Sequence, residues 1–482
     1  MAFLLDLASR AGAAAQGLAQ AGQNLFQPTL RLGVTGLARS GKTVFTTALV
    51  HHLVRGTPLP AFRAAAEGRI RRARLAHQPD DDVPRFAFEA NMETLVEARR
   101  WPASTTRISE LRLDLAFERS SRWRSGPANL TLDIVDYPGE WLLDLALIGA
   151  GYGEWSASAI ASARRPDRAE AAAPWLRQLA ALDPAGPPDE AVAATAADTF
   201  RGYLLLQRSD PETVATTPPG RFLMPGDLEG SPALTFAPLE LRPGEVASPG
   251  TLAGLMARRF ESYKARVVQP FFREHFARID RQIVLVDVLA AVDAGPAALA
   301  ELEDALDRVL LAFNAGRNTF LSRLFAPRAD RVLFAATKAD HVHHTSHDRL
   351  ERLLRHLVAR AVRRTEAAGA RVGTVALASV RATRETSVED GREVLRAVAG
   401  VPEAGERIGD DMFDGEAEAA VFPGELPADP KAVLDGAVPP GSLRFPRFRP
   451  PRLAPDAGGR PPPLPHIRLD RALEFLLGDR LA

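Results

Sequence analysis

Apolar and polar positions change their spacing several times along the chain. Residues 31–50, "RLGVTGLARSGKTVFTTALV", read as a short apolar strand, a Gly-rich turn and a helix. "ISELRLDLAF" and "NLTLDIVD" alternate, which predicts a strand pair over 107–117 and 129–136 with the turn-like "SSRWRSGPA" between them. "RQIVLVDVLAAV" (281–292), "DRVLFAATKAD" (330–340) and "RVGTVALAS" (371–379) are apolar runs suited to buried parallel strands. Helical spacing fills 296–315 and 348–367 between them. Strands alternating with helices predict an α/β fold with a mostly parallel sheet and helices on both faces. Residues 146–280 are rich in Ala, Leu and Arg at helical spacing, so they read as a helical insertion dividing the α/β domain into 31–145 and 281–400. Residues 1–30 read as an amphipathic helix with Phe3, Leu4 and Leu7 on one stripe. Residues 401–482 hold 14 of the 38 prolines and predict an extended course. They close on an amphipathic helix, with Leu469, Leu473, Leu476 and Leu477 on one face, expected to dock on the body.

Composition removes several function classes. The 482 residues are 46% hydrophobic and carry 60 basic and 60 acidic side chains, so no basic excess points to nucleic acid. There is no cysteine, which excludes disulfides, thiolate metal sites and cysteine nucleophiles. No apolar run is long enough to span a membrane, and the N-terminus lacks the pattern of a signal peptide, so a cytoplasmic location is expected.

The turn after the first strand, "GLARSGKT" (36–43), matches G-x-x-x-x-G-K-[ST] in strand–turn–helix context. Gly36, Arg39, Ser40, Gly41, Lys42 and Thr43 are its candidate phosphate-binding residues. Backbone N–H groups point at phosphates, Lys42 reaches the outer ones, and the Thr43 hydroxyl binds Mg²⁺. "LDIVDYPGEW" (132–141) ends a strand on Asp136, a candidate Mg²⁺ ligand, with Gly139 placed for a γ-phosphate contact. "TKAD" brings Thr337, Lys338 and Asp340 to the end of another strand. The Asp340 carboxylate suits the two donors on the guanine edge, and adenine mismatches it, which points to GTP or GDP. Lys338 would lay its stem across the base. "ALASVRAT" (376–383) places Ser379 and Val380 where backbone N–H groups meet the base oxygen. Thr105 and Thr106, just before the strand pair, are the candidate switch threonines on Mg²⁺, with Thr105 preferred.

These four motifs, with "LVDVLAAVDAGP" and "LPHIRLDRALEFLLGDRL", resemble the YcjX-like family of bacterial P-loop stress proteins. The resemblance runs over almost the whole chain, most closely at 30–55, 130–152, 270–345 and 462–481. It implies a Ras-like P-loop NTPase domain, a cytoplasmic stress-linked role, and partnership with a membrane protein at the periphery of the inner membrane.

Two residues bear on hydrolysis. Glu140 stands where small GTPases carry a water-orienting Gln. A carboxylate there either orients water or swings out as a surface helix-cap acid, because it repels a γ-phosphate. Arg39 sits where guanylate-binding proteins and atlastins carry an internal arginine finger. The alternative is an Arg that pairs with a nearby acid or covers the loop. A finger of that kind suggests a homodimer.

"DHVHHTSHD" (340–348) offers His343 and His347 at helical spacing, but no third metal ligand is evident and a polar loop beside the base is expected. The basic runs "RIRRAR" (69–74) and "RRTEAAGAR" (363–371) read as solvated helix faces. The expectation is a GTPase. An ATPase, a small-molecule kinase and a nucleotide-bound interaction protein with negligible catalysis are the alternatives.

Overall fold

The computed structural model describes residues 28–482 apart from 38, 79, 106, 122–123, 210–216, 226–227, 243–246, 315–328, 368, 392, 410, 440 and 454–462. Residues 1–27 of the expected N-terminal helix, and Thr106, lie outside the described residues.

A seven-stranded sheet forms the centre, in the order β2-β3-β4-β1-β5-β6-β7. Its strands are β1 Thr29–Gly36, β2 Ile70–Leu75, β3 Ser109–Ser121, β4 Arg124–Asp136, β5 Arg281–Val286, β6 Arg331–Ala336 and β7 Arg371–Ala376. β1 runs parallel to both β4 and β5, with β6 and β7 continuing the parallel half. β3 and β2 are antiparallel and form one edge. Every residue of β5 is buried, as a strand covered on both faces requires. On one face the helix Lys42–Arg55 and the C-terminal helix Leu469–Leu477 share a core that includes Leu32, Phe45 and Leu473. On the other face the core runs from Val284 and Phe334 into the helices between β4 and β5. The fold is therefore mixed α/β, with a mostly parallel sheet flanked by helices.

Three expectations need correction. "RIRRAR" is an edge strand, not a helix face: Arg71 and Arg74 point outward to Glu118 (2.9 Å) and Asp114 (3.2 Å) on β3. Charged outward residues are what an open sheet edge carries. "SSRWRSGPA" is mostly strand, because β3 and β4 stay paired up to Ser121 and Arg124. Strand pairing also crosses residue 400, where the α/β part was expected to end. β8 (Arg384–Asp390) and β9 (Glu393–Gly400) form a small sheet with Ala419–Val421.

The helices between β4 and β5 enclose an aromatic cluster in which Trp155 stacks on Phe260 and Trp175 on Tyr203. A buried ion pair between Arg168 and Glu301 ties this region to the helix Pro296–Asn314. Arg168 also donates to Ser162 Oγ at 2.6 Å and Thr217 Oγ1 at 3.3 Å. Glu301→Ala strands the buried guanidinium, so it should cost about 3–5 kcal/mol, read as a lower unfolding midpoint. An unchanged midpoint would refute that role.

Candidate functional site

β1 delivers Gly36 to the sheet's C-terminal edge, where ligands meet open α/β sheets. The chain then turns through two left-handed residues, Arg39 (φ 63°) and Gly41 (φ 84°), into the helix that starts at Lys42. Such a turn before a helix N-terminus gathers backbone N–H groups into an anion-binding concavity. Buried Ser40 braces it, its Oγ donating to the Leu37 carbonyl at 2.8 Å. Lys42 Nζ donates to the carbonyls of Gly36 (2.9 Å) and Leu37 (3.2 Å). Burial holds the Lys42 pKa below the usual lysine range, and the nearby Glu140 and Asp136 carboxylates work against that shift.

Thr43, Thr105 and Asp136 meet at one point. The Thr43 and Thr105 hydroxyls lie 3.2 Å apart, and Thr105 Oγ1 donates to Asp136 Oδ2 at 2.6 Å. Asp136 is buried, which pushes its pKa up to about 6 against the Thr105 hydrogen bond and the Lys42 charge. Its other oxygen, Oδ1, is buried without a hydrogen-bond partner among the described residues. A buried carboxylate oxygen with no donor, beside two hydroxyls, fits a hard oxygen-seeking cation such as Mg²⁺.

Gly139 packs so closely on the phosphate loop that a Cβ there would lie 1.6 Å from the Gly36 carbonyl oxygen. Glu140 opens the next helix, Glu140–Leu145, and is buried rather than the surface cap considered from sequence. Its Oε1 accepts from Arg208 Nε at 3.1 Å. Arg208 lies at the end of the helix Glu190–Ser209 and offsets the charge that would otherwise make burial costly. Arg39 is exposed and reaches the same place, with Nη2 3.2 Å from the Arg208 carbonyl. One turn further on, Asp144 accepts from the Gly220 and Arg221 N–H groups (2.6 and 3.2 Å) and from the Tyr263 hydroxyl (2.6 Å). The region between β4 and β5 thus grips the helix that follows the Asp136–Gly139 turn at Glu140 and Asp144.

Thr337, Lys338 and Asp340 follow β6. The Thr337 N–H donates to the Val286 carbonyl at 3.0 Å, joining the ends of β5 and β6. Lys338 Nζ pairs with Asp287, which in turn caps the helix Val288–Asp293. Buried Asp340 accepts the Ala382 N–H at Oδ2 (2.8 Å), and its carbonyl accepts from the Thr383 hydroxyl. Ser379 and Val380 are buried beside it. A cavity of about 290 Å³ is lined by residues 39–43, Thr105 and Glu140 together with Thr337, Lys338, Asp340, Ser379 and Val380. Gly36, Asp136 and Gly139 stand directly behind the loop that lines it.

Four contributors had weak or no sequence signals. Asp287 ends an apolar strand, a signal that was available. Ala382 and Thr383 lie just past the expected Ser379–Val380. Arg208 had no signal, being 68 residues from Glu140. His343 and His347 do not pair: His347 Nε2 faces the Val342 carbonyl at 3.3 Å. His343 and His344 instead gather on Glu385, with His344 Nδ1 at 2.8 Å from Oε2.

The chain also matches known proteins over nearly its whole length. The YcjX-like family, DUF463, matches residues 30–481. The chain is 38% identical over 468 residues to the Ras-like GTPase YcjX of Escherichia coli K12, covering 94% of this chain and 96% of that protein. It is 32% identical over 495 residues to the Ras-like GTPase YcjX of Shewanella oneidensis, covering 96% and 98%. With the match extending from β1 through the C-terminal helix, the chain belongs to the YcjX-like family.

Proposed function

We propose that the chain binds GTP with Mg²⁺, hydrolyses it slowly to GDP and phosphate, and uses the nucleotide state to reposition the helical region between β4 and β5. The observation that carries this reading is the single cavity that joins the phosphate loop to Asp340. The names of the relatives support a GTPase-like P-loop protein. Thr43, Thr105 and Asp136 would hold the metal, which when bound neutralises phosphate charge. Lys42, itself buried, binds the outer phosphates. A cytoplasmic, stress-linked role with a membrane-protein partner at the inner membrane, and a homodimer, belong to the same proposal. Among the described residues no helix is long and apolar enough to cross a membrane.

Single-turnover phosphate release from GTP tests the enzyme reading. Release that is faster with Mg²⁺ than with EDTA supports it. GTP that binds without turning over supports a nucleotide-bound interaction protein instead, a second reading favoured by the burial of Glu140 against Arg208.

Asp136 gives this site a pH signature. Its pKa of about 6 means that the carboxylate needed by a cation is protonated below that pH. Mg²⁺ affinity should therefore fall about tenfold per unit as the pH drops below 6. A flat profile from pH 7 to 5 would remove Asp136 from the metal site.

Arg39 serves as an arginine finger if it leaves the Arg208 carbonyl in the transition state. Arg39→Ala should then lower kcat by at least about 1,000-fold with little change in GTP affinity. Unchanged turnover would leave Arg39 only as a tie to the helix Glu190–Ser209.

A further inference from the structure

The cavity has a third side that none of the four motifs supplies. Trp101 and Pro102 line it from the segment before Thr105, and Glu403, Arg447 and Phe448 line it from the C-terminal stretch. Trp101 is half-buried, and its Nε1 donates to the Phe448 carbonyl at 2.7 Å across 347 residues of sequence. That bond satisfies the only polar atom of the indole. The ring is left for apolar contact. Part of it packs on the small core of Ala382, Val398, Val421 and Phe448, and it also borders the cavity.

Phe448 has no exposed surface of its own. The edge of one ring meets the face of the other where it packs on His341, with centroids 5.3 Å apart. Its backbone is fixed as well, because the Glu403 N–H donates to the Arg447 carbonyl and the Arg449 N–H to the Val401 carbonyl, both at 2.8 Å. Phe448 therefore supports, in one place, the Trp101 indole, the neighbour of Asp340, and the loop whose Ala382 N–H holds the Asp340 carboxylate.

A nucleoside presents flat apolar faces as well as hydrogen-bonding edges, and aromatic side chains recognise those faces without regard to sequence motif. Among the described aromatic residues lining the cavity, Phe448 is fully buried and His341 nearly so, and Trp101 offers the most accessible ring. We infer that Trp101 is the aromatic wall against which the nucleoside of a guanine nucleotide packs, and that the C-terminal stretch completes the binding site by holding Trp101 through Phe448. This rests on the guanine-nucleotide reading and adds a contact residue, a positioning residue and a linkage to it. Nucleotide binding and docking of residues 401–453 reinforce each other, because each orders the indole that the other needs.

The test is calorimetric titration of GDP into the full chain with EDTA, and of GTP with Mg²⁺. Trp101→Ala should weaken GDP and GTP by the same factor, about 10- to 100-fold. Trp101→Phe should recover most of the loss. Phe448→Ala should weaken GDP in the native background and add little in a Trp101→Ala background, the non-additivity of residues acting through one another. Emission provides a readout independent of the Ala variant folding: GDP should change tryptophan emission in the native chain, and most of that change should be lost in Trp101→Phe.

If Trp101→Ala binds GDP as tightly as the native chain, the wall is wrong while the guanine reading stands. If only GTP with Mg²⁺ is weakened, Trp101 acts through Thr105 and the nucleoside contact is refuted. A native chain that binds neither GDP nor GTP overturns the guanine reading, and this inference with it.

Discussion

Lys42→Ala should abolish measurable GTP and GDP binding at micromolar nucleotide, a loss of roughly 30- to 5,000-fold. The range follows from the cost of truncating one partner of a buried charge pair, about 2–5 kcal/mol, at about 1.4 kcal/mol per tenfold. Lys42 is a buried ammonium with the Gly36 and Leu37 carbonyls as its hydrogen-bond acceptors and the carboxylates of Glu140 and Asp136 nearby. An ammonium held that way is poorly solvated and gains strongly from a phosphate oxygen. Removing it also leaves two buried acids facing the phosphate, so repulsion adds to the lost attraction. Calorimetry with GTP checks the size of the effect. Circular dichroism separates it from unfolding. A folded Lys42→Ala variant with native affinity would mean that the phosphates do not sit on this loop.

Asp340→Asn should remove the preference for guanine. The Asp340 Oδ2 atom is committed to the Ala382 N–H, which fixes the plane of the carboxylate. An Asn must keep its oxygen on that N–H and turn its NH₂ into the cavity. A donor then faces the guanine N1–H and exocyclic amine, which are themselves donors. Losing two charge-assisted bonds and adding this conflict should weaken GTP by about 100-fold or more. A xanthine nucleotide, with a carbonyl where guanine has its amine, should lose far less. Competition between GTP, ATP and a xanthine nucleotide on the variant measures the reversal. Unaltered preference for GTP would place base recognition elsewhere.

The phosphate loop, Asp136 and Asp340 were legible because each is a local arrangement. A strand end and a fixed turn put the right atoms at its tip, whatever packs around it. The apolar runs of β5 and β6 were legible for a similar reason, since burial on both faces leaves few polar choices. The edge strand β2 was not: "RIRRAR" shows too few apolar residues to reveal alternation, and only its pairing with β3 makes it a strand. The surface-cap alternative for Glu140 does not hold, because the cation that permits its burial, Arg208, arrives from a separate helix that its local sequence does not reveal. Asp340 itself was legible, but how its carboxylate is oriented was not. Its tie to Ala382 depends on a loop conformation that the letters "SVRAT" do not specify. The link between the C-terminal stretch and Trp101 had no signal in the sequence, because Phe448 supports Trp101 through a backbone carbonyl that any residue possesses.

On the proposed switch function, the helices between β4 and β5 would give the site a means of reporting its state. Arg208 binds Glu140 by its side chain and Arg39 by its carbonyl, so one helix end senses both the phosphate loop and the helix after Gly139. Gly139 leaves no room for slack there, with its Cα packed on the Gly36 carbonyl. A γ-phosphate that shifts either element must move the end of the helix Glu190–Ser209. Hydrogen exchange across residues 190–208, compared between GDP and a non-hydrolysable GTP analogue, would show that movement as a difference between the two states.

The most direct test of guanine-nucleotide binding is isothermal titration of the native chain with GTP, GDP and ATP, each with Mg²⁺ and with EDTA. The Asp340 assignment requires GTP and GDP to bind at least about 100-fold more tightly than ATP. The Thr43, Thr105 and Asp136 cluster requires Mg²⁺ to strengthen GTP binding. ATP binding as tightly as GTP would contradict the guanine assignment.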